Sequence, residues 1–284
     1  MVNFDGVLFP ENQGILGYDN RAFKFGDGVF ETLRAVNGTL FFWEDHYFRL
    51  MASMRMLRME IPMSFTLEFL EEEILRTVSA NERSESPSRV RLTVFRKDGG
   101  NYGPLSNEIS YLIEVKAMQA SFYLIDDKPY EVELYKDFYL NKDLLSNLKT
   151  TNKILNVVAS VYASENGYDN CLLINTDKQV VEAINGNLFS VKGNVIKTPP
   201  LQDGCLNGIV RKKLMEIINS GTEFELEEAS ISPFELQKAD ELFITNSISG
   251  IIRITKYRKK SYDSVVGNNL LGKLNAKARL EATS

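Results

Sequence analysis

Histidine and cysteine are scarce in this sequence. Its 284 residues include one histidine, His46, and two cysteines, Cys171 and Cys205, which lie far apart. A histidine-rich zinc site and a Ser/His/Asp hydrolytic triad are therefore disfavoured, and we predict no metal site. Acid–base chemistry would have to use Lys, Tyr, Glu or Asp. Two cysteines in so long a chain indicate a reducing compartment rather than a disulfide framework.

Excess positive charge and long hydrophobic runs are also missing. The net charge is −5 and the pI about 5.2, so there is no basic footprint for nucleic acid. No apolar run approaches membrane-spanning length, and the first residues lack a signal-peptide pattern. With 44% hydrophobic and 25% charged residues, the composition is that of a globular protein. We expect a soluble, cytoplasmic protein that binds neither membranes nor nucleic acid.

The periodicity of residues 1–118 predicts a small α/β domain. Apolar residues recur at helical spacing in 44–59 and in 66–81. They alternate in 89–96, and 108–118 is a similar run, so both are predicted strands.

The rest of the chain predicts a larger, strand-rich domain. Residues 119–129 lose regular periodicity and contain a proline, which makes them the candidate interdomain linker. In the domain 130–284 we predict hairpins that turn at Asp177 and Gly193. A helix is predicted over 206–220, beginning after Asn207. The fold class is therefore α/β, or α+β, in two domains.

One short segment raises a chemical question. Thr150 and Thr151 are candidate N-caps for a helix that has one apolar face. Its members are Ile154, Val157, Val158, Val161 and Tyr162. Lys149 precedes that cap, at a predicted strand-to-helix junction. Burial there would lower its pKa and make the amine nucleophilic, whereas a surface lysine is the ordinary alternative.

Three further features fit a phosphate-bearing cofactor. The loop "QDGCLNG" precedes a helix whose first N–H groups could bind an anion. Arg49 could grip a phosphate, and Glu182 lies in an apolar strand, where a carboxylate needs a partner. The first two also have ordinary explanations: a plain loop-to-helix joint and an exposed helix arginine. Together with a buried lysine they match what pyridoxal 5′-phosphate requires.

The sequence also resembles the class IV aminotransferases, the fold type IV pyridoxal-phosphate enzymes. The resemblance runs along nearly the whole chain in five motifs that occur in the family's order. These motifs are "FGDGVFETLR" (25–34), "HYFRL" (46–50), "NLKTTNKILNVVA" (147–159), "VEAINGNLFSVKGNVIKTPPLQDGCLNGIVR" (181–211) and "FITNSISGI" (243–251).

The resemblance implies a role for each matching position. Lys149 would form the Schiff base, and Glu182 would hold the pyridinium nitrogen. The phosphate would be bound by Arg49, by the main chain of Ile209 and Val210, and by Asn246 and Ser247. It further implies the two-domain fold type IV architecture, with the cofactor in the cleft and usually a homodimer.

The resemblance leaves the reaction open between aminodeoxychorismate lyase, which releases pyruvate and p-aminobenzoate, and aminotransferases for branched-chain or D-amino acids. Four features favour the lyase. The loop "TNSISGI" resembles the lyase version of its motif. At the other three positions the residue differs from the one usual in the aminotransferases; these are Thr32, Val210 and Lys153. Arg91, Arg96 or Lys153 could bind a second carboxylate of the substrate. A non-catalytic cofactor-binding relative, and an α/β protein without the cofactor, are the alternatives of another class.

Overall fold

A computed structural model describes residues 1–221 and 223–281. The chain divides into two compact units. The first comprises Met1–Ser121, Lys149–Asn152 and the described residues from Ala278 onward. The second comprises Phe122–Leu148 and Lys153–Lys277. No helix of the described residues is long and apolar enough to cross a membrane.

The first unit is built on a six-stranded sheet in the order β2-β1-β6-β5-β3-β4, in which every pair is antiparallel. The strands are β1 (Val2–Phe4), β2 (Val7–Phe9), β3 (Gly28–Val36), β4 (Thr39–Leu40), β5 (Ser88–Arg96) and β6 (Ile109–Ala117). Its helices are α1 (Arg21–Phe25), α2 (Trp43–Met56) and α3 (Leu67–Ala80). The predicted helices and strands of this region are therefore present, with ends shifted by at most three residues.

Helices α2 and α3 cover one face of this sheet. Leu50 and Met54 of α2 and Leu70 of α3 are fully buried in one core with Leu33 and Leu92 of the strands. Thr66 caps α3 by accepting a hydrogen bond from the N–H of Phe69, so the helix begins where its apolar face reaches the sheet. Because strand side chains alternate, every second residue of β3 and β5 points to the opposite face.

The second unit contains a ten-stranded sheet with both parallel and antiparallel pairs. Its strands are β7 (Glu131–Leu140), β8 (Asn170–Asn175), β9 (Val180–Ala183), β10 (Gly186–Lys192), β11 (Val195–Thr198), β12 (Glu225–Glu228), β13 (Glu241–Asn246), β14 (Gly250–Ile254), β15 (Lys256–Tyr257) and β16 (Lys260–Ser261). Its helices are α4 (Ile154–Glu165), α5 (Ile209–Gly221), α6 (Pro233–Leu236) and α7 (Val265–Glu281), of which the described residues from Ala278 are grouped with the first unit. Both predicted hairpins are present, and Gly193 takes the positive φ of 58° that its turn requires.

Helix α4 differs from its prediction in two ways. It begins at Ile154 with Lys153 as the N-cap, so the capping role predicted for Thr150 and Thr151 is wrong. Its fully buried residues are Ala159 and Ala163, and the predicted Val158 and Tyr162 pack against the same core, whereas the other three predicted positions are largely exposed. These are Ile154, Val157 and Val161, which are 68%, 53% and 50% exposed.

Candidate active site

The backbone around Lys149 is fixed by strand β3. The N–H of Phe30 donates to the carbonyl of Lys149 over 2.9 Å, and the N–H of Thr151 donates to the carbonyl of Gly28 over 2.9 Å. Thr150 forms a bridge with Val29. The two threonines are therefore extended partners of β3, which is why they do not cap the helix. The main chain of Lys149 is therefore held by β3.

One aromatic ring joins Lys149 to an arginine. The ammonium of Lys149 lies 4.4 Å from the centroid of the Phe30 ring, and the guanidinium carbon of Arg91 lies 3.8 Å from the same centroid. Thr32, the next same-face residue of β3, stands directly opposite Arg91. The first unit thus brings together Lys149 and two of the predicted substrate residues, Thr32 and Arg91.

The side chain of Arg91 is partly exposed to solvent. Its side chain is 31% exposed, and its Nε donates to Thr93 Oγ1 over 3.2 Å and lies 3.8 Å from Glu114 Oε2. Burial lowers the pKa of this guanidinium, and the neighbouring Arg89 acts in the same direction against Glu114. A half-buried arginine with one distant carboxylate suits the binding of an anionic ligand.

Arg96 is bound far more completely. Its Nε donates to Asp27 Oδ2 over 3.1 Å, and its Nη1 donates to Asn107 Oδ1 over 2.6 Å. The carbonyls of Leu57 and Arg58 accept two further hydrogen bonds. These contacts tie one end of β5 to the end of α2, and they favour Arg91 over Arg96 as the substrate arginine. Lys153, the N-cap of α4, belongs to the second unit.

Arg49 belongs to a buried cluster on the helix-covered face of the first unit. Its Nε donates to Glu31 Oε1 over 2.8 Å and its Nη2 donates to Glu31 Oε2, which is the two-pronged geometry of a strong ion pair. His46 Nδ1 donates to Glu31 Oε2 over 2.7 Å. Glu31 and His46 are 1% and 0% exposed. Helix α2 supplies His46 and Arg49 three positions apart, so both reach one carboxylate of β3.

The charges in this cluster balance. Burial alone would raise the pKa of Glu31, but Arg49 and His46 outweigh it and lower the pKa to about 2. Burial lowers the pKa of His46 from its ordinary value of 6.5, against the opposing effect of Glu31. The imidazole is therefore neutral at pH 7, and within the described residues its buried Nε2 has no hydrogen-bond partner.

Glu182 is held in the second unit by a backbone donor. It lies in β9, 8% exposed, and its Oε2 accepts the N–H of Leu206 over 2.8 Å. This contact ties β9 to the loop before α5. A buried carboxylate needs such a donor, and a carboxylate is also the kind of group that accepts from a protonated ring nitrogen.

The same loop leads into the start of α5. This helix begins at Ile209, two residues after Asn207, and Ile209 and Val210 are buried. The N–H groups of a first helical turn have no partner inside their own helix and bind anions well. A Cβ at Gly208 would lie 2.0 Å from Asn187 Oδ1, so a larger residue there would require the Asn187 side chain to move.

Asn246 and Ser247 end strand β13 in a tight turn. Asn246 Oδ1 accepts the N–H groups of Ile248 over 3.0 Å and of Ser249 over 2.8 Å. The carbonyl of Ser247 accepts the hydroxyl of Tyr123 over 3.2 Å. This turn fixes the backbone at the positions that were predicted to contact phosphate.

Metal ligation does not explain these residues. Between residues 1 and 281, Thr222 excluded, no three acidic, thiol or imidazole side chains cluster closely enough to hold a metal ion. The thiols of Cys171 and Cys205 are buried and unpaired, and burial raises the pKa of Cys171 to about 11. They are therefore poor nucleophiles.

The model of the amino-transferase class IV family matches residues 28–257 of the chain. The chain belongs to this family. The D-alanine aminotransferase of Bacillus licheniformis is 28% identical over 264 residues, which cover 89% of this chain and 87% of that protein. The aminodeoxychorismate lyase of Vibrio harveyi is 25% identical over 248 residues, covering 87% and 88% of the two chains.

Solved structures of this family share the fold. The branched-chain aminotransferase of Thermoproteus uzoniensis, determined with norvaline, has a TM-score of 0.87 and 25% identity and covers 98% of this chain and 94% of its own. A second branched-chain amino acid aminotransferase, determined with pyridoxamine 5′-phosphate, has a TM-score of 0.86 and 22% identity, covering 98% and 93%. The class IV family and the fold type IV architecture, both expected from the sequence motifs, are confirmed.

Sequence reasoning missed three residues of the first unit. Glu31 and Phe30 lie inside the motif "FGDGVFETLR", yet the motif alone assigns a role to neither. A glutamate in an apolar strand is a detectable signal, since it needs a partner as Glu182 does. His46 drew attention only as the sole histidine, although a histidine three residues before Arg49 shares its helix face.

Proposed function

We propose that the protein is a pyridoxal 5′-phosphate-dependent enzyme that acts on a small-molecule amino-carboxylate, with Lys149 as its catalytic residue. The observation that carries the proposal is that the Lys149 ammonium and the Arg91 guanidinium both contact the ring of Phe30. A reactive amine beside an arginine suits an amino acid, whose amine and carboxylate are one carbon apart. The pyridoxamine 5′-phosphate bound in the branched-chain aminotransferase structure supports the choice of cofactor.

The donor groups present in each unit fit the ends of this cofactor. In the second unit Glu182, already held by the Leu206 N–H, would bind the pyridine nitrogen in its protonated form. Ile209 and Val210 would give main-chain N–H groups to the phosphate. Asn246 and Ser247 would extend that cradle. Arg49 of the first unit would add a charged donor, oriented by Glu31. When bound, pyridoxal 5′-phosphate supplies an electron sink for electrons released at the substrate's Cα.

The chain's own residues then carry out the proton transfers. Lys149, fixed at its backbone by Phe30, would take the proton from Cα and return one later. Arg91 would hold a carboxylate so that the Cα–H bond points towards the amine. The hydroxyl of Thr32 lies in the same row and would complete the contact.

We propose the lyase reaction first: release of pyruvate and p-aminobenzoate from aminodeoxychorismate. Its substrate carries two carboxylates, which matches the arginine-rich face around Arg91. Thr32 and Val210 support this choice as motif positions. An amino-acid aminotransferase, for branched-chain or D-amino acids, is the second candidate. The 28% identity to a D-alanine aminotransferase favours it.

One experiment separates the two reactions. Holoenzyme is mixed with aminodeoxychorismate and pyruvate is measured; in parallel it is mixed with single L- and D-amino acids without a keto acid. Pyruvate release with the cofactor left in its aldehyde form supports the lyase. Stoichiometric conversion to the pyridoxamine form, with no pyruvate, establishes the aminotransferase instead. Glu182→Gln is the matched variant, since it should bind cofactor but react much more slowly. Response to neither substrate class would contradict both reactions.

We further propose a homodimer in the cytoplasm. The exposed apolar positions Ile154, Val157 and Val161 follow one face of α4, and such a face suits burial against a second copy. The two unpaired thiols suit a reducing compartment. Light scattering on the protein and on Val157→Glu tests the first point: a dimer that the variant weakens is expected, and a monomer at all concentrations would contradict it.

A further inference from the structure

Three rows of side chains cross the face of the six-stranded sheet that α2 and α3 leave uncovered. Each row contains one residue of β3, one of β5 and one of β6, paired directly across the strands. The rows are Phe30–Thr93–Leu112, Thr32–Arg91–Glu114 and Arg34–Arg89–Lys116. Lys149 lies at the first row, through its contact with Phe30. The third row, called the distal row here, therefore lies farthest along the strands from Lys149.

The distal row places three positive charges opposite one another on neighbouring strands. Like charges directly opposite destabilise a sheet, so this arrangement costs folding free energy. Arg34 is buried and donates to the carbonyl of Ala120 over 2.9 Å. Arg89 and Lys116 form no ion pair or side-chain hydrogen bond with any described residue. The sheet thus keeps two cations that form no ion pair with a described residue, although the acidic side chains of Glu114 and Glu11 line the pockets beside Lys116.

These two cations line a groove. Its volume is about 330 Å³ and its walls are Arg89, Arg91, Thr93, Glu114 and Lys116. Glu114 is the single acidic wall residue among three basic ones, so the groove has a net positive charge. The distal row lies four residues along β3 from the first row, and at about 3.3 Å per residue this puts the two rows roughly 13 Å apart.

We propose that Arg89 and Lys116 of the distal row bind a carboxylate of the substrate that lies farther from the reacting Cα than the side-chain carboxylate of glutamate. The ligand class is an amine whose acidic group stands on a ring or at the end of a long chain, and both aminodeoxychorismate and the long α-amino diacids belong to it. This inference rests on the proposed function, because it takes Lys149 as the reacting end. The contact with Arg91, one row nearer, is part of that proposed function, whereas the distal row adds a second anion subsite.

The test uses holoenzyme and two series of amino acids. The acidic series is glutamate, α-aminoadipate, α-aminopimelate and α-aminosuberate, and the neutral series is norleucine and α-aminooctanoate, each in both enantiomers. The apparent dissociation constant is read from the change in the visible band of the cofactor. We expect affinity to rise with length in the acidic series only. Arg89→Gln and Lys116→Gln should each lower the affinity of the longest diacids about tenfold, since each removes a charged donor.

The control variant is Lys97→Gln. Lys97 is an exposed lysine just after β5, paired with Glu108 outside the groove, so its loss changes the net charge equally. Lys97→Gln should keep the affinity for every amino acid within about twofold of the wild type. Arg89→Gln and Lys116→Gln should keep the affinity for the neutral series within the same range. No gain with length, or equal effects of Arg89→Gln and Lys97→Gln, would overturn the distal subsite.

A second measurement needs no reaction at Lys149. The thermal midpoint of holoenzyme is recorded with pimelate and with heptanoate. Pimelate should raise it in the wild type and not in Arg89→Gln or Lys116→Gln, while heptanoate should act on all three alike. If the cofactor band responds to no amino acid, the proposed function fails, and this measurement still decides on the subsite. Equal shifts for both acids, or an unchanged pimelate shift in the variants, would overturn it.

Discussion

Charged side chains are paired on one face of the six-stranded sheet, whereas on the other face positive charges are in excess. On the face covered by helices, the buried carboxylate of Glu31 meets Arg49 and neutral His46, and the charges balance. On the other face Arg89 and Lys116 stand opposite each other without a carboxylate in their row. Adjacent positions of one strand, β3, contribute to both faces, because side chains alternate.

The comparison shows how position on a strand decides what a charge can do. A charge under a helix must be neutralised by its neighbours, since water cannot reach it. A charge on the open face can remain unpaired in the unliganded protein, at a modest cost, and become paired when an anion binds. Balanced charge marks the structural side of the sheet, and excess charge marks the side we assign to the substrate.

The substitution with the largest expected effect is Glu31→Gln, which removes the negative charge of the buried cluster. This change leaves Arg49 buried without its anionic partner, so the free energy of unfolding should fall by about 3–5 kcal/mol. Urea unfolding at pH 7 measures it. The matched control on the open face is Glu114→Gln, which should cost no more than about 1 kcal/mol. Equal effects of the two variants would contradict the difference between the faces.

Arg49→Ala tests whether the balanced cluster also serves the cofactor. We expect the affinity for pyridoxal 5′-phosphate to fall by about 2–4 kcal/mol, because a charged donor to the phosphate is lost. Pyridoxal, which lacks the phosphate, should lose much less, and this difference separates a phosphate contact from general damage. Arg55→Ala, an exposed arginine on the same helix, is the control. Equal losses for both compounds would exclude the phosphate role.

Acid should destabilise the cluster in two pH ranges. The pKa of His46 is lowered by burial, so below pH 6.5 His46 becomes protonated in the unfolded chain while it stays neutral in the folded chain. Stability should therefore fall with pH there, by at most about 1.4 kcal/mol per pH unit. The lowered pKa of Glu31 adds a second loss between pH 4.5 and about 2. Urea unfolding of His46→Gln should show a shallower slope between pH 6.5 and 5 than the wild type; an identical slope would mean that His46 does not carry this effect.

The smallest expected effect has the opposite sign. Lys116→Gln removes one of two like charges that face each other, so the free energy of unfolding should rise by about 0.2–1 kcal/mol. Lys97→Gln breaks an ion pair and should not stabilise. Differential scanning calorimetry at low salt resolves the sign. A clear destabilisation by Lys116→Gln would show that the distal row is a structural feature.

Local patterns predicted much of the fold. Leu50, Met54 and Leu70 recur at helical spacing, and they are the residues that α2 and α3 bury. Gly193 marks its hairpin because the turn requires a positive φ, which glycine adopts without strain. The start of α4 was wrong because Thr150 and Thr151 have a capping preference that pairing with β3 overrides. That pairing joins residues about 120 positions apart, which periodicity cannot detect.

Residues that stand in a motif could be proposed as site residues from the sequence, whereas contacts that depend on strand register could not. Lys149, Glu182 and Arg49 stand in motifs, and the family assignment that those motifs carried is confirmed. The partnership of Glu31 with Arg49 needed the packing of α2 on β3. The distal row needed the register of three strands, because Arg34 and Lys116 lie more than eighty residues apart.

The most direct test of the account is the position at which the cofactor is attached. Purified protein is reconstituted with pyridoxal 5′-phosphate, reduced with borohydride, digested and mapped by mass spectrometry. We expect one pyridoxyl group, on Lys149, and none in Lys149→Arg. A pyridoxyl group on Lys142 or Lys153, or no specific attachment, would contradict the central role of Lys149.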